Sequence, residues 1–280
     1  MNIKSIIFAS LFLFLFTPSP SAAEIGTLVI NKGIVHIRRG HRDITLRTPY
    51  RKTEIHESDI IHTGKNTLVS IRMPSIGHDV NIYSNTVYMV PKNRKKELNS
   101  TVPFGKVRFL INRLKLLIRQ KVSIKTTTAI IGVKGTDFII GVRGTETDLV
   151  TIEGIVGFAN IQKPEIEVEV TANHGSRTVK NQPPQIPIPI KREQVEKLII
   201  GDDVSSFEEL PLVDGESSAE TGEKKGGEQR DKESKTNSTP IGEEVEEIWE
   251  IIKEVGETTE EVIPITEKNI TITIEDQEVK

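Results

Sequence analysis

The chain has 280 residues and a mass of 31.3 kDa, with 36% hydrophobic residues, 28% charged residues and no cysteine. The missing thiols exclude a disulfide scaffold, a Cys-ligated zinc or iron–sulfur site, a cysteine nucleophile and a lipid-anchoring cysteine. The net charge of −3 conceals two opposed regions: residues 24–200 carry 28 Lys and Arg against 16 Asp and Glu, and residues 201–280 carry 8 against 24.

In chain order, residues 1–23 read as a signal peptide. Lys4 supplies the positive start, Ile6 to Phe16 is an apolar run too short to span a bilayer, and Ser21 and Ala23 suit a cleavage site after Ala23. An uncleaved anchor is the alternative. No later stretch is long and apolar enough to cross a membrane, so the expected product is exported, with no transmembrane segment after signal removal.

From Glu24 to Ile200 the pattern is of short strands separated by frequent turn residues, which predicts an all-β domain rather than βαβ units. Thr27–Ile30 and Ile34–Ile37 flank Asn31-Lys32-Gly33, read as a hairpin turn. Leu68–Met73, Val80–Tyr83, Ser123–Thr128, Asp137–Val142, Asp148–Glu153 and Ile155–Ile161 follow as strands, with Gly132, Gly135, Gly144 and Gly154 at the breaks. Between Val107 and Lys121 two readings stay open. Val107, Leu110, Ile111, Leu114, Leu117 and Ile118 fit one face of a basic helix, which could pack on the core or lie on an anionic membrane; Val107, Phe109 and Ile111 fit a strand.

Ile131-Gly132-Val133-Lys134-Gly135-Thr136-Asp137 returns nine residues later as Ile140-Gly141-Val142-Arg143-Gly144-Thr145-Glu146. Glycines three apart permit tight bends between strands. A phosphate-binding loop would need a Gly-Lys-Ser/Thr order and a following helix, and neither is present. The six histidines (His36, His41, His56, His62, His78 and His174) show no metal-ligand spacing, carboxylates in the basic region are scattered, and no Gly-x-Ser-x-Gly elbow occurs. The sequence therefore names no catalytic residue, no cofactor and no metal, and an enzyme is not expected. With nine aromatic residues after Ala23, a stacking platform for nucleic acid is poorly supplied.

Beyond Ile200 the composition changes. Residues 201–240 read as an acidic disordered linker, since Ala219 is the one hydrophobic residue between Asp214 and Pro240. Residues 241–280 read as a short α/β tail: Val245, Ile248, Trp249, Ile252 and Val255 recur at helical spacing as a candidate docking helix, and Ile270–Ile274 alternates as a strand. The acidic tail either folds back on the basic β region or stays solvated.

The run Lys125-Thr126-Thr127-Thr128-Ala129-Ile130-Ile131-Gly132-Val133-Lys134-Gly135-Thr136-Asp137-Phe138 resembles the signature of the FecR domain family. That signature reads roughly Thr-Pro-Thr-Ala, two apolar residues, then Gly-Val-Arg-Gly-Thr-Asp/Glu-Phe; here Thr127 replaces proline and Lys134 replaces arginine. Val150–Val156 resembles the strand pair that follows, and Glu57-Ser58-Asp59 to Thr63-Gly64 is similar to an upstream Gly-Asp…Thr-Gly turn, with Ser58 in place of glycine. The resemblance spans roughly Gly26 to Lys180. It implies a non-catalytic, β-rich periplasmic module, often in envelope signalling, whose motif residues Thr126, Thr128, Ala129, Gly132, Val133, Lys134, Gly135, Thr136, Asp137 and Phe138 are structural. The expected function is protein binding or scaffolding in the cell envelope, with another envelope protein as partner. The alternative is binding of an anionic envelope polymer, a wall glycan or lipopolysaccharide, through the basic β region.

Overall fold

The computed structural model describes residues 24–47, 52–94, 97–112, 121–133, 135–212 and 271–272. It is mainly β, as the alternating pattern predicts. The strands are β1 (Glu24–Lys32), β2 (Ile34–Arg39), β3 (Arg42–Arg47), β4 (Lys52–His56), β5 (Ile60–Thr63), β6 (Leu68–Met73), β7 (His78–Ile82), β8 (Thr86–Arg94), β9 (Glu97–Ile111), β10 (Lys121–Thr126), β11 (Ala129–Val133), β12 (Asp137–Arg143), β13 (Glu146–Glu153), β14 (Ile155–Asn160), β15 (Lys163–Thr171), β16 (His174–Val179) and β17 (Ile188–Pro189). One sheet, A, has the order β4-β1-β6-β7-β9-β12-β13-β16-β17. The other, B, has the order β3-β2-β5-β8-β9-β10-β11-β14-β15. Pairing is antiparallel except between β9 and β10 and where Thr271–Ile272 runs beside Asp43–Ile44 of β3.

Strand β9 is the middle strand of both sheets. Its first half lies in sheet B between β8 and β10, and residues 105–111 lie in sheet A between β7 and β12. The change of sheet happens at Gly105, whose φ of +97° favours glycine and whose absent Cβ leaves room for the side chain and backbone of Thr86. The inner faces of both sheets close on one hydrophobic cluster that includes Leu28, Ile61, Tyr88, Phe109, Phe138 and Phe158. Phe109 stacks on Phe138 with ring centroids 5.3 Å apart. This is the alternation expected of a two-sheet packing, one residue inward and the next outward.

The turn residues do more than join hairpins. Each described passage between the sheets carries a residue with positive φ: Gly33, Ser58, Asn66, Asn85, Gly105, Gly135, Gly154 or Asn173. The predicted hairpin at Asn31-Lys32-Gly33 is one of these passages. β1 pairs with β4 and β6, whereas β2 pairs with β3 and β5, so the two strands lie in opposite sheets. A left-handed corner there lets Leu28 and Ile30 reach the shared core from one side and Val35 and Ile37 from the other. Between Val107 and Ile111 the chain is strand, not helix: Val107, Phe109 and Ile111 are buried in the core while Arg108 faces outward. Residues 113–120 lie outside the described residues.

A second cluster forms on the outer face of sheet A. Helix α1 (Arg192–Ile200) and a 3-10 turn (Val204–Phe207) bring Val195, Leu198, Phe207, Leu210 and Leu212 against Ile139 and Val150. Gly141 makes space for this lid, because a Cβ on it would meet the Phe207 ring at 2.5 Å. The packed fold therefore runs to Leu212, twelve residues past the charge break at Ile200, and residues 201–212 are not linker. The predicted signal peptide, the rest of the acidic linker and the docking helix Val245–Val255 lie outside the described residues. Among the described residues no helix is long and apolar enough to cross a membrane.

Candidate functional site

The residues of the 126–138 motif gather at a passage from sheet B to sheet A rather than at a cleft. Thr126 ends β10, and its hydroxyl accepts the backbone N–H groups of Thr128 and Ala129, closing the turn into β11. The hydroxyls of Thr126 and Thr128 each lie 2.7 Å from that of Thr147 on β13, so three buried threonines tie the two sheets together. Ala129, Val133 and Phe138 are core residues. Gly132 lies inside β11 rather than at a break, on its exposed face. Gly135 has φ +75° and is the corner itself; its carbonyl oxygen sits 3.1 Å from where a Cβ of Gly154 would project. Asp137 receives a two-pronged pair from Arg108, at 2.9 and 2.7 Å. Thr136 is buried, with its hydroxyl unpartnered. Lys134 lies outside the described residues. Upstream, Asp59 is fully buried and holds its turn through Arg39, at 2.9 and 2.8 Å, and the His56 N–H; Ser58 takes a φ of +66°.

Polar groups also fasten the lid on sheet A. Lys106 on β9 is fully buried, and its ammonium donates to the carbonyls of Leu198 and Gly201 and to the Ser206 hydroxyl. It thus neutralises the carbonyl end of α1, where a cation is favoured. The same ammonium sits 4.2 Å from the Tyr83 ring centroid, and the Tyr83 hydroxyl donates to the Ile199 carbonyl. Desolvation pulls the Lys106 pKa down to about 8, against the opposing pull of Asp203 and Asp202. On β13, fully buried Asp148 pairs with Arg177 at 2.6 Å and Arg143 at 2.7 Å. Burial raises its pKa and the two guanidiniums hold it back. The Asp148–Arg177 pair and the Lys106 contacts could not be read from spacing, since those partners are far apart in the chain.

The outer face of sheet B carries no such lid among the described residues. Ile60, Met89 and Ile130 are half-exposed there, because their neighbours Ile61, Tyr88 and Ile131 point into the core. A register shift between β8 and β9 places Phe104 beside Val87 on the same face. Pairing of β2 with β5 sets His36 opposite His62, with ring centroids 6.0 Å apart. Burial and Arg47 lower the His36 pKa, while Asp43 opposes the shift. Lys121 and Lys125 follow on β10. The outer face of sheet A over β1, β6 and β7 differs in kind: Asn31 donates to Ser70 at 2.8 Å and Ser70 to Asn81 at 2.9 Å, a polar ladder.

Two open clefts accompany these faces. One of about 500 Å³ is lined by Arg39, Lys52 and Glu54, and one of about 300 Å³ by Arg143, Arg177 and Glu208. Both hold cations already paired with carboxylates: Arg39 with Asp59, and Arg143 and Arg177 with Asp148. Among the described residues no three His, Asp or Glu side chains come together as a metal-ligand set.

No protein-family model and no curated protein matches the chain. Solved structures similar to part of it include two crystal structures of a candidate anti-sigma factor from Parabacteroides distasonis, at 2.50 and 1.65 Å resolution. Each is 14% identical with a TM-score of 0.43, over 51% of this chain and 64% or 65% of theirs. The chain thus covers less than two thirds of those chains.

Proposed function

We propose that the chain is a non-catalytic, exported protein-binding or scaffolding module of the cell envelope, built on a FecR-like β domain. The observation that carries this reading is the contrast between faces. Sheet A is lidded on one half and polar on the other, whereas sheet B presents Ile60, Met89, Phe104 and Ile130 beside lysines, with nothing described above them. A half-apolar face with a polar rim is the make-up of a protein interface. Export rests on residues 1–23 and a role near envelope signalling rests on the resemblance around residues 126–138; both belong to this proposal.

The test is capture from the chain's own envelope fraction by the intact protein and by an Ile60→Glu, Met89→Glu variant. Loss of one specific protein in the variant, with the fold unchanged, supports the reading; equal capture sinks it. The rim cations Lys121 and Lys125 favour one second reading, binding of an anionic wall glycan or lipopolysaccharide. Such binding should weaken steeply with ionic strength, while an apolar protein contact should hold.

A further inference from the structure

We propose that His36 and His62, on the outer face of sheet B, form a two-histidine site for a late first-row divalent metal ion, Cu2+ or Zn2+. The inference stands apart from the reading of this face as a protein interface and needs no partner. The two residues are 26 positions apart in the chain. Strand order alone joins them: β2 and β5 run antiparallel with His36 directly opposite His62. Both side chains leave the core, because Val35, Ile37 and Ile61 take the inward positions. His36 is exposed and His62 half-buried, so an ion reaches the pair from solvent.

Separation, tautomer and protonation all suit a shared ion. An imidazole nitrogen binds zinc at about 2.0–2.1 Å, so two rings on one ion have centroids within about 6.4 Å of each other. Here they are 6.0 Å apart. The ring planes differ by 29°, and a turn about χ2, a broad torsion in histidine, aims both rings at one point. His36 Nδ1 lies 2.9 Å from the hydroxyl of Thr45, the residue opposite it on β3. A ring whose Nδ1–H is held by such an outer partner presents Nε2 to a metal, already oriented. Burial and Arg47 hold the His36 pKa below the ordinary histidine value, against the pull of Asp43. The ring is therefore the free base at neutral pH, the form that binds a metal. Of the nearby guanidiniums, Arg38 is neutralised by Asp43 at 2.7 Å. Arg47 opposes a metal cation as it opposes a proton, which favours the ion with the stronger nitrogen bond, copper over zinc. With two protein ligands, the remaining positions on the ion go to water. The other histidines are placed differently: His78 is sealed in the core, and His174 is tied to Ala172 and Thr171 in its own turn.

The test is titration of the full chain with Cu2+ and, separately, with Zn2+. The wild type should take one ion of either kind at this pair, copper the more tightly. The electron paramagnetic resonance spectrum of the Cu2+ form should show two imidazole nitrogens. His36→Gln and His62→Gln should each weaken binding at least about tenfold, because the second ring acts at high effective concentration, and should leave one nitrogen in the spectrum. Thr45→Val should cause a smaller loss, and His174→Gln none. A saturating ion should raise the unfolding midpoint of the wild type but not of the two glutamine variants, since the ligands meet only in the folded sheet. The same curves without metal show that each variant folds. Binding that survives His36→Gln or His62→Gln, a Cu2+ spectrum without paired nitrogens, or affinity no better than that of a single histidine overturns the proposal. One ion per two chains assigns the histidines to a bridge between copies and overturns it as well.

Discussion

The outer faces of the two sheets are built from the same alternation of residues and end up with opposite fates. On sheet A, Ile139 and Val150 project from β12 and β13 and are sealed by α1, the 3-10 turn and Phe207. On sheet B, Ile60, Met89 and Ile130 project in the same way and stay half-exposed. The difference is that the chain after Val179 returns across sheet A, where Gly141 leaves room for an aromatic ring and Lys106 gives a polar hold on the returning helix. An outward apolar residue thus belongs to the core or to the surface according to what the chain does afterwards.

The largest effect should come from removing the lid's anchor. Phe207→Ala empties a fully buried site above Gly141 and should cost about 3–5 kcal/mol in denaturant unfolding, with increased binding of a hydrophobic dye as the sheet A face opens. A loss under about 1 kcal/mol would mean that the lid is not packed as described. Next comes the polar hold. Between about pH 8 and the ordinary lysine value of 10.5, the unfolded chain keeps a proton that folded Lys106 has released. Stability should therefore rise with pH across that window, by up to about 1.4 kcal/mol per unit. Lys106→Met should flatten this rise and lower stability at pH 7, because the carbonyls of Leu198 and Gly201 lose their donor. A slope identical in wild type and variant would place the titration elsewhere.

Both faces depend on the passages between sheets. Gly135→Val forces a β-branched residue into φ +75° and should cost about 1–3 kcal/mol, measured by thermal or denaturant unfolding; an unchanged midpoint would show that the corner relaxes freely. The smallest change in stability is expected on sheet B, where Ile60→Glu with Met89→Glu should stay within about 0.5 kcal/mol per site of wild type. A much larger loss would mean that this face, too, is core.

The β class and much of the strand pattern are legible in the sequence. Leu68–Met73 is bounded as predicted, and Asp137, Glu153 and Ile155 mark strand ends as expected. What local pattern could not supply was destination. Gly33 marks a break in either case, but whether the next strand pairs beside the last or crosses to the opposite sheet depends on β4, β5 and β6. The fifteen residues of β9 include Pro103 and Gly105, residue types that weaken a strand interior, yet the strand continues because the positive φ at Gly105 turns it into the other sheet. Helix α1 was missed because it presents two buried residues, Val195 and Leu198, among charged ones. The charge break at Ile200 concealed the packing of Phe207, Leu210 and Leu212 because charge follows composition, while burial follows three apolar side chains. The pairing of His36 with His62 and the burial of Lys106 were not legible, since both arise from strand order.

The central claim is that one outer face is closed by the chain itself and the other is the surface that binds. Site-specific photo-crosslinking of the full chain in its own cells tests it most directly, with the crosslinking residue placed singly at Ile60, Met89 or Lys125 on sheet B and at Ser70 or Asn81 on sheet A. The account predicts a discrete adduct with a second protein from the sheet B positions and none from Ser70 or Asn81. Adducts from the sheet A positions alone, or from neither face, would contradict it.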